Sequence, residues 1–364
     1  MPTLRSTEEV RPLTGLRWFA ASGVFLYHFG NPAWFPNWLW RIKHNGLLGV
    51  QLFFVLSGYV LTLRYFNLQF QFRNYMLSRV ARIWPMYLAG LLLSFVYLTQ
   101  SNQSTPLRLI MVHSTGLQAW HPEMDFALGL NGPAWTVSVE IFFYVTFPFL
   151  LLIFRRWKSS MKLGAQLMLV GTAIGGLLTV RQVVAFGPVD MSLPELPNSF
   201  IWFRLVPVHY LGLFVTGIGA AITVLASESE KQNIQLGRFI KPGMTAVLLV
   251  LSMTLVSFNS PANPNLALSA RFWLAGPPFA LFLMSLHLHQ QNLVSKFLGS
   301  DPVCFLGRIS YSFYILHVPF ISLLRFRFPN LSYELQFVML LMCSSLAYFI
   351  IEQPIRQFLT RHLN

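Results

Sequence analysis

Long apolar segments separated by short polar stretches run along almost the whole chain. A helix that crosses a bilayer needs roughly 20 predominantly apolar residues, because each residue adds only about 1.5 Å to its length. Ten segments approach this requirement, although several are short or contain proline and glycine. They are residues 14–30, 46–66, 83–99, 135–154, 163–185, 201–226, 243–258, 268–290, 308–324 and 334–352. The pattern predicts an all-α polytopic membrane bundle of about ten transmembrane helices.

A further apolar stretch, residues 107–120 (LRLIMVHSTGLQAW), lies between the third and fourth of these segments. It is too short and too polar to cross a bilayer. We therefore predict an interfacial or re-entrant piece at this point of the chain.

The composition indicates that lipid covers most of the protein surface. Hydrophobic residues make up 54% of the 364 residues and charged residues only 10%, whereas a soluble domain carries about 25% charged residues. The sequence contains no internal repeat, and its apolar segments follow one another closely. We therefore expect a single integral-membrane domain over residues 1–364, with no fused soluble domain.

Basic residues give the chain a net charge of +14. A basic surface can indicate nucleic-acid binding, but membrane proteins also carry an excess of Lys and Arg in their cytoplasmic loops. If the N-terminus is cytoplasmic, most of the 26 lysines and arginines fall in cytoplasmic segments of the ten-helix topology. We predict cytoplasmic N- and C-termini, contact with membrane lipids and no nucleic-acid partner.

The sequence shows no metal-binding pattern. Cys304 and Cys343 lie in different segments, and His287 and His289 are two residues apart, so the two histidines face different sides of a helix. No zinc, haem or nucleotide-loop signature occurs. We predict no metal site and no permanently bound cofactor.

Arg17 and His28 are ionisable residues of the first apolar segment. Their separation of eleven residues is within about 20° of a whole number of helical turns and spans roughly 16 Å along the axis. Both side chains therefore lie on one helical face. Ionisable groups inside a membrane helix mark function by default, since arginine binds phosphate bidentately and histidine exchanges a proton near neutral pH. The alternative for His28 is a packed histidine that only forms structural hydrogen bonds.

Arg79 and Arg82 are three residues apart and share a helical face just before the third segment. They could bind an anionic ligand such as the phosphates of coenzyme A. They could equally set the topology while contacting lipid phosphates. The spacing leaves both interpretations open.

Glu140 lies about five residues into the fourth segment, and Ser138 beside it is a candidate substrate-binding hydroxyl. A carboxylate at this depth should pair with a cation or be protonated, because an isolated buried charge is costly. Glu140 could orient a histidine ring or act as an acid or base. It could also form a structural ion pair with an arginine.

Tyr311, Tyr314 and His317 follow one another at intervals of three in the ninth segment. This spacing places their polar groups on one stripe of the helix. The stripe could form a substrate-binding wall, or it could hydrogen-bond to neighbouring helices. For Glu352, at the end of the tenth segment, we expect a structural role.

Six sequence blocks together resemble one known family, the integral-membrane O-acyltransferases of acyltransferase family three. The resemblance covers nearly the whole chain and is closest to members associated with polysaccharide biosynthesis. The blocks, in order, are RPLTGLRWFAASGVFLYHF, GLLGVQLFFVLSGYVLTLRY, RVARIWPMY, NGPAWTVSVEIFFY, GRISYSFYILHVP and IEQPIR.

The resemblance implies roles for five residues. It implies that Arg17 and His28 are the essential catalytic pair, that Arg79 and Arg82 bind the acyl-CoA phosphates, and that Glu140 is the acidic residue of the fourth-helix motif. The acyl donor would be acetyl-CoA as a cosubstrate on the cytoplasmic side of a bacterial inner membrane. The acceptor would be a hydroxyl of a cell-surface glycan or a lipid-linked sugar.

One position departs from the family pattern. Many members carry aspartate where this chain has Thr14, so we expect an ion pair from that position to Arg17 to be lost.

The residues and the resemblance together give a mechanistic hypothesis. Arg17, Arg79 and Arg82 would hold the donor phosphates, and the thioester arm would extend along the first helix. His28 would act as a general base for the acceptor hydroxyl or carry the acyl group transiently.

Two other classes of protein also fit the sequence. A polytopic transporter or exporter of a glycan or another polar solute would also contain intramembrane charges and helices interrupted by proline and glycine. A non-catalytic sensor or scaffold would need neither Arg17 nor His28 for any chemistry.

Overall fold

The computed structural model describes residues 9–31, 45–157, 160–186, 203–230, 232–248 and 274–361. Within these ranges all regular secondary structure is helical. In chain order we label the α-helices α1 (Arg11–Phe29), α2 (Leu48–Tyr65), α3 (Phe72–Gln100), α4 (Leu107–Ser114), α5 (Met124–Leu128), α6 (Trp135–Arg156), α7 (Met161–Phe186), α8 (Leu211–Ser229), α9 (Asn233–Phe239), α10 (Gly276–Leu288), α11 (Leu293–Leu298), α12 (Asp301–Arg327), α13 (Tyr333–Ala347) and α14 (Gln353–Thr360).

Seven helical stretches in the described ranges are long and apolar enough to cross a membrane. Each overlaps one of the ten predicted segments, which confirms the prediction of an all-α polytopic membrane bundle. The sidedness of the termini stays a prediction. The seven stretches are Leu48–Tyr65, Phe72–Gln100, Gly132–Arg156, Met161–Gln182, Pro207–Ser229, Asp301–Arg327 and Tyr333–Thr360.

The other three predicted segments have different outcomes. The first is helix α1, whose arginines and histidine lower its mean hydropathy, so that it is not among the seven. Segment 268–290 contains the shorter apolar helix α10. Most of segment 243–258 lies outside the described residues.

Close helix–helix contacts hold the centre of the bundle together. Helix α8 packs against α2 and α7, and α1 packs against α12. At Gly307 of α12 an added Cβ would lie only 2.0 Å from the carbonyl oxygen of Thr14, so only glycine permits this approach. Small residues commonly allow such contacts between membrane helices. The contact places the first half of α1 directly against α12.

Gly58 of α2 offers a direct test of this packing. A Cβ there would lie 2.1 Å from the carbonyl oxygen of Phe214 in α8, so Gly58→Ala must push two helix backbones apart. We expect a loss of about 1–3 kcal/mol in stability, as for other overpacked sites. Thermal unfolding of the purified protein in detergent, followed by intrinsic fluorescence, measures the change.

Gly243→Ala is the matched control for this substitution, because no atom lies within 4 Å of the added Cβ and alanine favours a helix. Equal melting temperatures for Gly58→Ala and Gly243→Ala would contradict the packing argument.

The predicted interfacial or re-entrant stretch 107–120 forms helix α4 and the 3₁₀ turn Gln118–Trp120, and it is not among the candidate spans. Buried hydrogen bonds hold it against the bundle. The Tyr87 hydroxyl donates to Gln118 Oε1 at 3.1 Å, and Gln118 Nε2 donates to the carbonyl oxygen of Ala134 at 2.6 Å. Burial lowers the pKa of His113 to about 4. This histidine is therefore neutral at physiological pH, and its Nε2 bonds to the carbonyl oxygen of Phe126 at 2.8 Å.

Candidate functional site

A cavity with polar walls lies between helices α1, α2, α3, α6 and α12. It encloses about 780 Å³ of empty space, counting its open mouth. Helix α2 supplies most of the apolar wall, and the other four helices supply most of the polar side chains. The polar and charged lining residues are Arg17, Ser57, Arg79, Arg82, Thr136, Glu140, Tyr144, Ser310, Tyr311 and Tyr314.

Three arginines and one glutamate carry the charge of this cavity. Arg79 and Arg82 lie three residues apart on α3 and face the same way, as their spacing predicts. Arg17 reaches the cavity from α1 and Glu140 from α6. The lining therefore has more positive than negative charge. Of the two interpretations of the arginine pair, this placement favours binding of an anionic ligand.

Arg79 is held in place by its neighbours. Its guanidinium lies 5.6 Å from the ring centre of Tyr144 and 5.8 Å from that of Tyr75, distances typical of cation–π contacts. Its Nε also donates to Ser78 Oγ at 3.2 Å. These contacts fix the direction in which the cation points.

Arg17 and Arg82 are only partly exposed, yet neither forms a hydrogen bond or an ion pair with any other residue in the described ranges. The carboxylates of Glu140 and Glu352 act on Arg82 electrostatically without coming within the 4.0 Å of a salt bridge. A guanidinium presents five N–H donors, and those of Arg17 and Arg82 are bonded to no other described residue. The two side chains are thus available to an anionic ligand.

Glu140 lies with the arginines and not with His28. Its Oε2 accepts a hydrogen bond of 3.4 Å from the hydroxyl of Tyr144, one turn further along α6, and its strongest electrostatic partner is Arg82, followed by Arg17. No contact with His28 is found in the described part of the chain. The prediction that Glu140 orients a histidine therefore lacks geometric support, and a charge-balancing role beside the arginines fits better.

Tyr311 and Tyr314 line the cavity and also connect helices. The Tyr311 hydroxyl donates to the carbonyl oxygen of Ile83 at 3.0 Å. The Tyr314 hydroxyl donates to the carbonyl oxygen of Pro133 at 3.2 Å and lies 3.3 Å from Thr136 Oγ1. The two tyrosines therefore hydrogen-bond to neighbouring segments as well as lining the cavity, and their role in substrate binding stays a prediction.

His28 and His317 lie next to the cavity and not in its lining. Their ring centres are 5.4 Å apart, and the ring of His317 is 5.5 Å from that of Tyr314. A series of ring contacts thus leads from His28 to the cavity wall. Arg17 and His28 both turn toward α12, in agreement with the predicted common face of α1.

Ser138 has a structural partner. Its side chain is fully buried, and its Oγ accepts a hydrogen bond of 3.2 Å from the backbone N–H of Ala119. The hydroxyl thus anchors the stretch 107–120 to α6, and Ser138 does not line the cavity. Its predicted role in substrate binding has no support from this position.

Two carboxylates outside the predicted site act on its arginines. Glu352, in the π-helical turn Tyr348–Glu352, is 1% exposed and accepts a hydrogen bond of 2.6 Å from Ser312 Oγ. It lies near Arg82, so it contributes negative charge behind the cavity. The sequence singled this residue out as an ionisable group at the end of the tenth segment, but its spacing could not place it near Arg82.

Glu9 is the second of these carboxylates. The Thr14 hydroxyl donates to Glu9 Oε1 at 2.5 Å, and this carboxylate acts electrostatically on Arg17. The charge expected to be lost at position 14 is thus supplied from a neighbouring position. The sequence alone could not show that Thr14 holds Glu9.

A multi-pass helical bundle with a cationic cavity between its helices defines the class of protein: an integral membrane protein built around an internal polar site. The model of acyltransferase family three, described as an acyltransferase domain, matches residues 12–351. The chain belongs to this family, and it is a membrane acyltransferase.

Curated relatives share about a quarter of their residues with this chain. It is 26% identical to acyltransferase MdmB of Streptomyces mycarofaciens, over 84% of this chain and 77% of the relative. It is 25% identical to O-acetyltransferase OatA of Staphylococcus aureus and 25% identical to peptidoglycan O-acetyltransferase OatA of Listeria monocytogenes, over 95% and 98% of this chain. The alignment spans 57% of each OatA protein. No solved structure matches the chain.

Proposed function

We propose that this protein transfers an acetyl group from acetyl-CoA to a hydroxyl of a cell-surface glycan or lipid-linked sugar, in a bacterial inner membrane. The observation that carries the proposal is the pair Arg17 and Arg82. Both guanidinium groups face the cavity, and neither forms a hydrogen bond or a salt bridge in the described ranges, although cations inside a membrane protein normally find such a partner.

The arginines would bind the phosphates of the donor. Coenzyme A carries several phosphate groups, and guanidinium binds phosphate through two parallel hydrogen bonds. Arg17 and Arg82 would make these contacts, while Arg79, fixed by its aromatic neighbours, would add a third positive charge. Glu140 would offset part of this charge, so that the product coenzyme A can leave.

His28 would act on the acceptor hydroxyl as a general base. The hydroxyl oxygen attacks the thioester carbonyl carbon as its proton moves to His28, and the carbon–sulfur bond then breaks. The proton passes from His28 to the departing thiolate of coenzyme A. Atoms and charge balance without an added oxidant, reductant or metal ion.

The names of the relatives support a glycan acceptor. One is named as a peptidoglycan O-acetyltransferase, and peptidoglycan is a cell-surface polymer with free sugar hydroxyls. The polar groups near His28 and the Tyr314 wall would accommodate such a hydroxyl.

Labelled acetyl-CoA provides the test. Membranes from cells that produce the wild-type protein are incubated with acetyl-CoA labelled in the acetyl group, beside membranes from cells that lack it. We expect label in glycans or lipid-linked sugars, in an ester that mild base releases, only when the protein is present. Label that reaches no acceptor, together with protein-dependent movement of a glycan, would indicate a transporter and contradict the proposal.

A further inference from the structure

His317 is a buried histidine whose hydrogen atom can be assigned to one ring nitrogen. Its Nδ1 is hydrogen-bonded to the backbone carbonyl oxygen of Tyr314, three residues earlier in α12. A carbonyl oxygen only accepts hydrogen bonds, so Nδ1 must be the donor. The backbone of α12 therefore fixes this ring in one orientation and with one hydrogen position.

The other ring nitrogen, Nε2, is left as an acceptor. The side chain of His317 is 1% exposed, and a buried imidazolium without a counter-ion is unfavourable, so the ring is neutral with a lone pair on Nε2. This nitrogen is buried and has no hydrogen-bond partner among the described residues. An unpaired buried acceptor costs free energy, which suggests that it receives a hydrogen bond in the working enzyme.

His28 is a polar side chain in contact with this ring. The two ring centres are 5.4 Å apart and the ring planes are inclined by 46°. An N–H···N bond of about 2.9 Å between two imidazoles places their centres roughly 5 Å apart. A small rotation of His28 would therefore form the bond. His28 is an exposed residue, so its other ring nitrogen can meet a ligand.

We infer that His317 is a positioning residue for His28: its Nε2 accepts a hydrogen bond from one ring nitrogen of His28 and leaves the other His28 nitrogen free to take a proton from the acceptor hydroxyl. This inference rests on the proposed acyl transfer, in which His28 is the base. A second group that fixes the hydrogen position of the base is a recurrent arrangement in acyl-transfer enzymes.

A neutral partner suits the membrane interior. A carboxylate would hold the histidine equally well, but it would add a negative charge that is expensive inside a bilayer. His317 supplies only a lone pair. It therefore fixes the hydrogen position of His28 without requiring a further cation nearby.

Two substitutions of His317 each keep one of the two hydrogen bonds assigned to its ring and remove the other. The amide nitrogen of asparagine reaches the position of Nδ1, so His317→Asn keeps the bond to Tyr314 and removes the acceptor that faces His28. The amide of glutamine reaches the position of Nε2, so His317→Gln can offer an oxygen to His28 but loses the bond to Tyr314. The inference and a purely structural role thus predict opposite rankings.

The experiment measures kcat and KM for acetyl-CoA in membranes that contain equal amounts of each protein, together with the melting temperature of each purified variant. We expect His317→Asn to lose kcat on the order of 100-fold with an unchanged KM, and His317→Gln to retain clearly more activity. Wild-type kcat in His317→Asn, or equal losses in both variants that follow a lower melting temperature, would overturn the inference. Absence of transfer by the wild-type protein would instead contradict the proposed function.

Discussion

His28→Ala should lower the kcat of acetyl transfer by about 100- to 10,000-fold, the usual contribution of a positioned general base. Without the imidazole, the acceptor hydroxyl must lose its proton to water as it attacks the thioester. Binding of coenzyme A should stay close to that of the wild type, because His28 lies outside the cavity lined by the arginines. Initial rates with labelled acetyl-CoA and calorimetric binding of coenzyme A measure the two quantities separately.

His121→Ala is the control for this substitution. His121 lies outside the cavity lining and stacks on Phe126 at a ring-centre distance of 4.3 Å, so its loss should leave kcat unchanged. A His28→Ala protein that transfers acetyl groups at the wild-type rate would remove the base from the proposed mechanism.

Arg82→Ala should raise the KM for acetyl-CoA by about 10- to 100-fold, because a hydrogen bond to a charged group contributes about 1.5–3 kcal/mol. Arg82→Lys should fall between the wild type and the alanine variant, since an ammonium keeps the charge but cannot form the bidentate contact. S-acetylpantetheine, an acetyl donor without phosphates, shows whether the effect of Arg82→Ala depends on the phosphates of the donor. Its KM should be the same for the wild type and Arg82→Ala.

Arg73→Ala is the matched control on the same helix. Arg73 is exposed and does not line the cavity, so its removal should change the KM for neither donor. If Arg82→Ala weakens acetyl-CoA and S-acetylpantetheine equally, Arg82 acts on the thioester arm or on the fold, and the phosphate assignment is wrong.

The sequence predicted a large part of the candidate site because helical periodicity is a local property. Arg79 and Arg82 share a face at a spacing of three, and Arg17 and His28 share one at a spacing of eleven. The structure retains both relations. It also places Tyr311, Tyr314 and His317 on the side of α12 that meets α1 and the cavity.

Hydrogen-bond partners from distant parts of the chain were much harder to predict. The residues next to Ser138 in the sequence are compatible with a substrate-binding hydroxyl. Only the fold shows that the hydroxyl oxygen accepts a hydrogen bond from the backbone N–H of Ala119. Position 14 holds threonine where many family members carry aspartate. Only the folded N-terminal segment shows that the Thr14 hydroxyl donates a hydrogen bond to the carboxylate of Glu9.

The sequence alone determined that this is a helical membrane protein, because each segment needs enough apolar residues to cross a bilayer, whatever its neighbours are. The spacing of residues within a segment also determined which of them share a helical face. The tertiary structure alone decided that the arginines of α1 and α3 converge on one cavity, that Glu140 joins them, and that His28 meets His317. These relations depend on how closely and at what rotation separate helices pack, and such contacts between distant residues cannot be read from spacing within a segment.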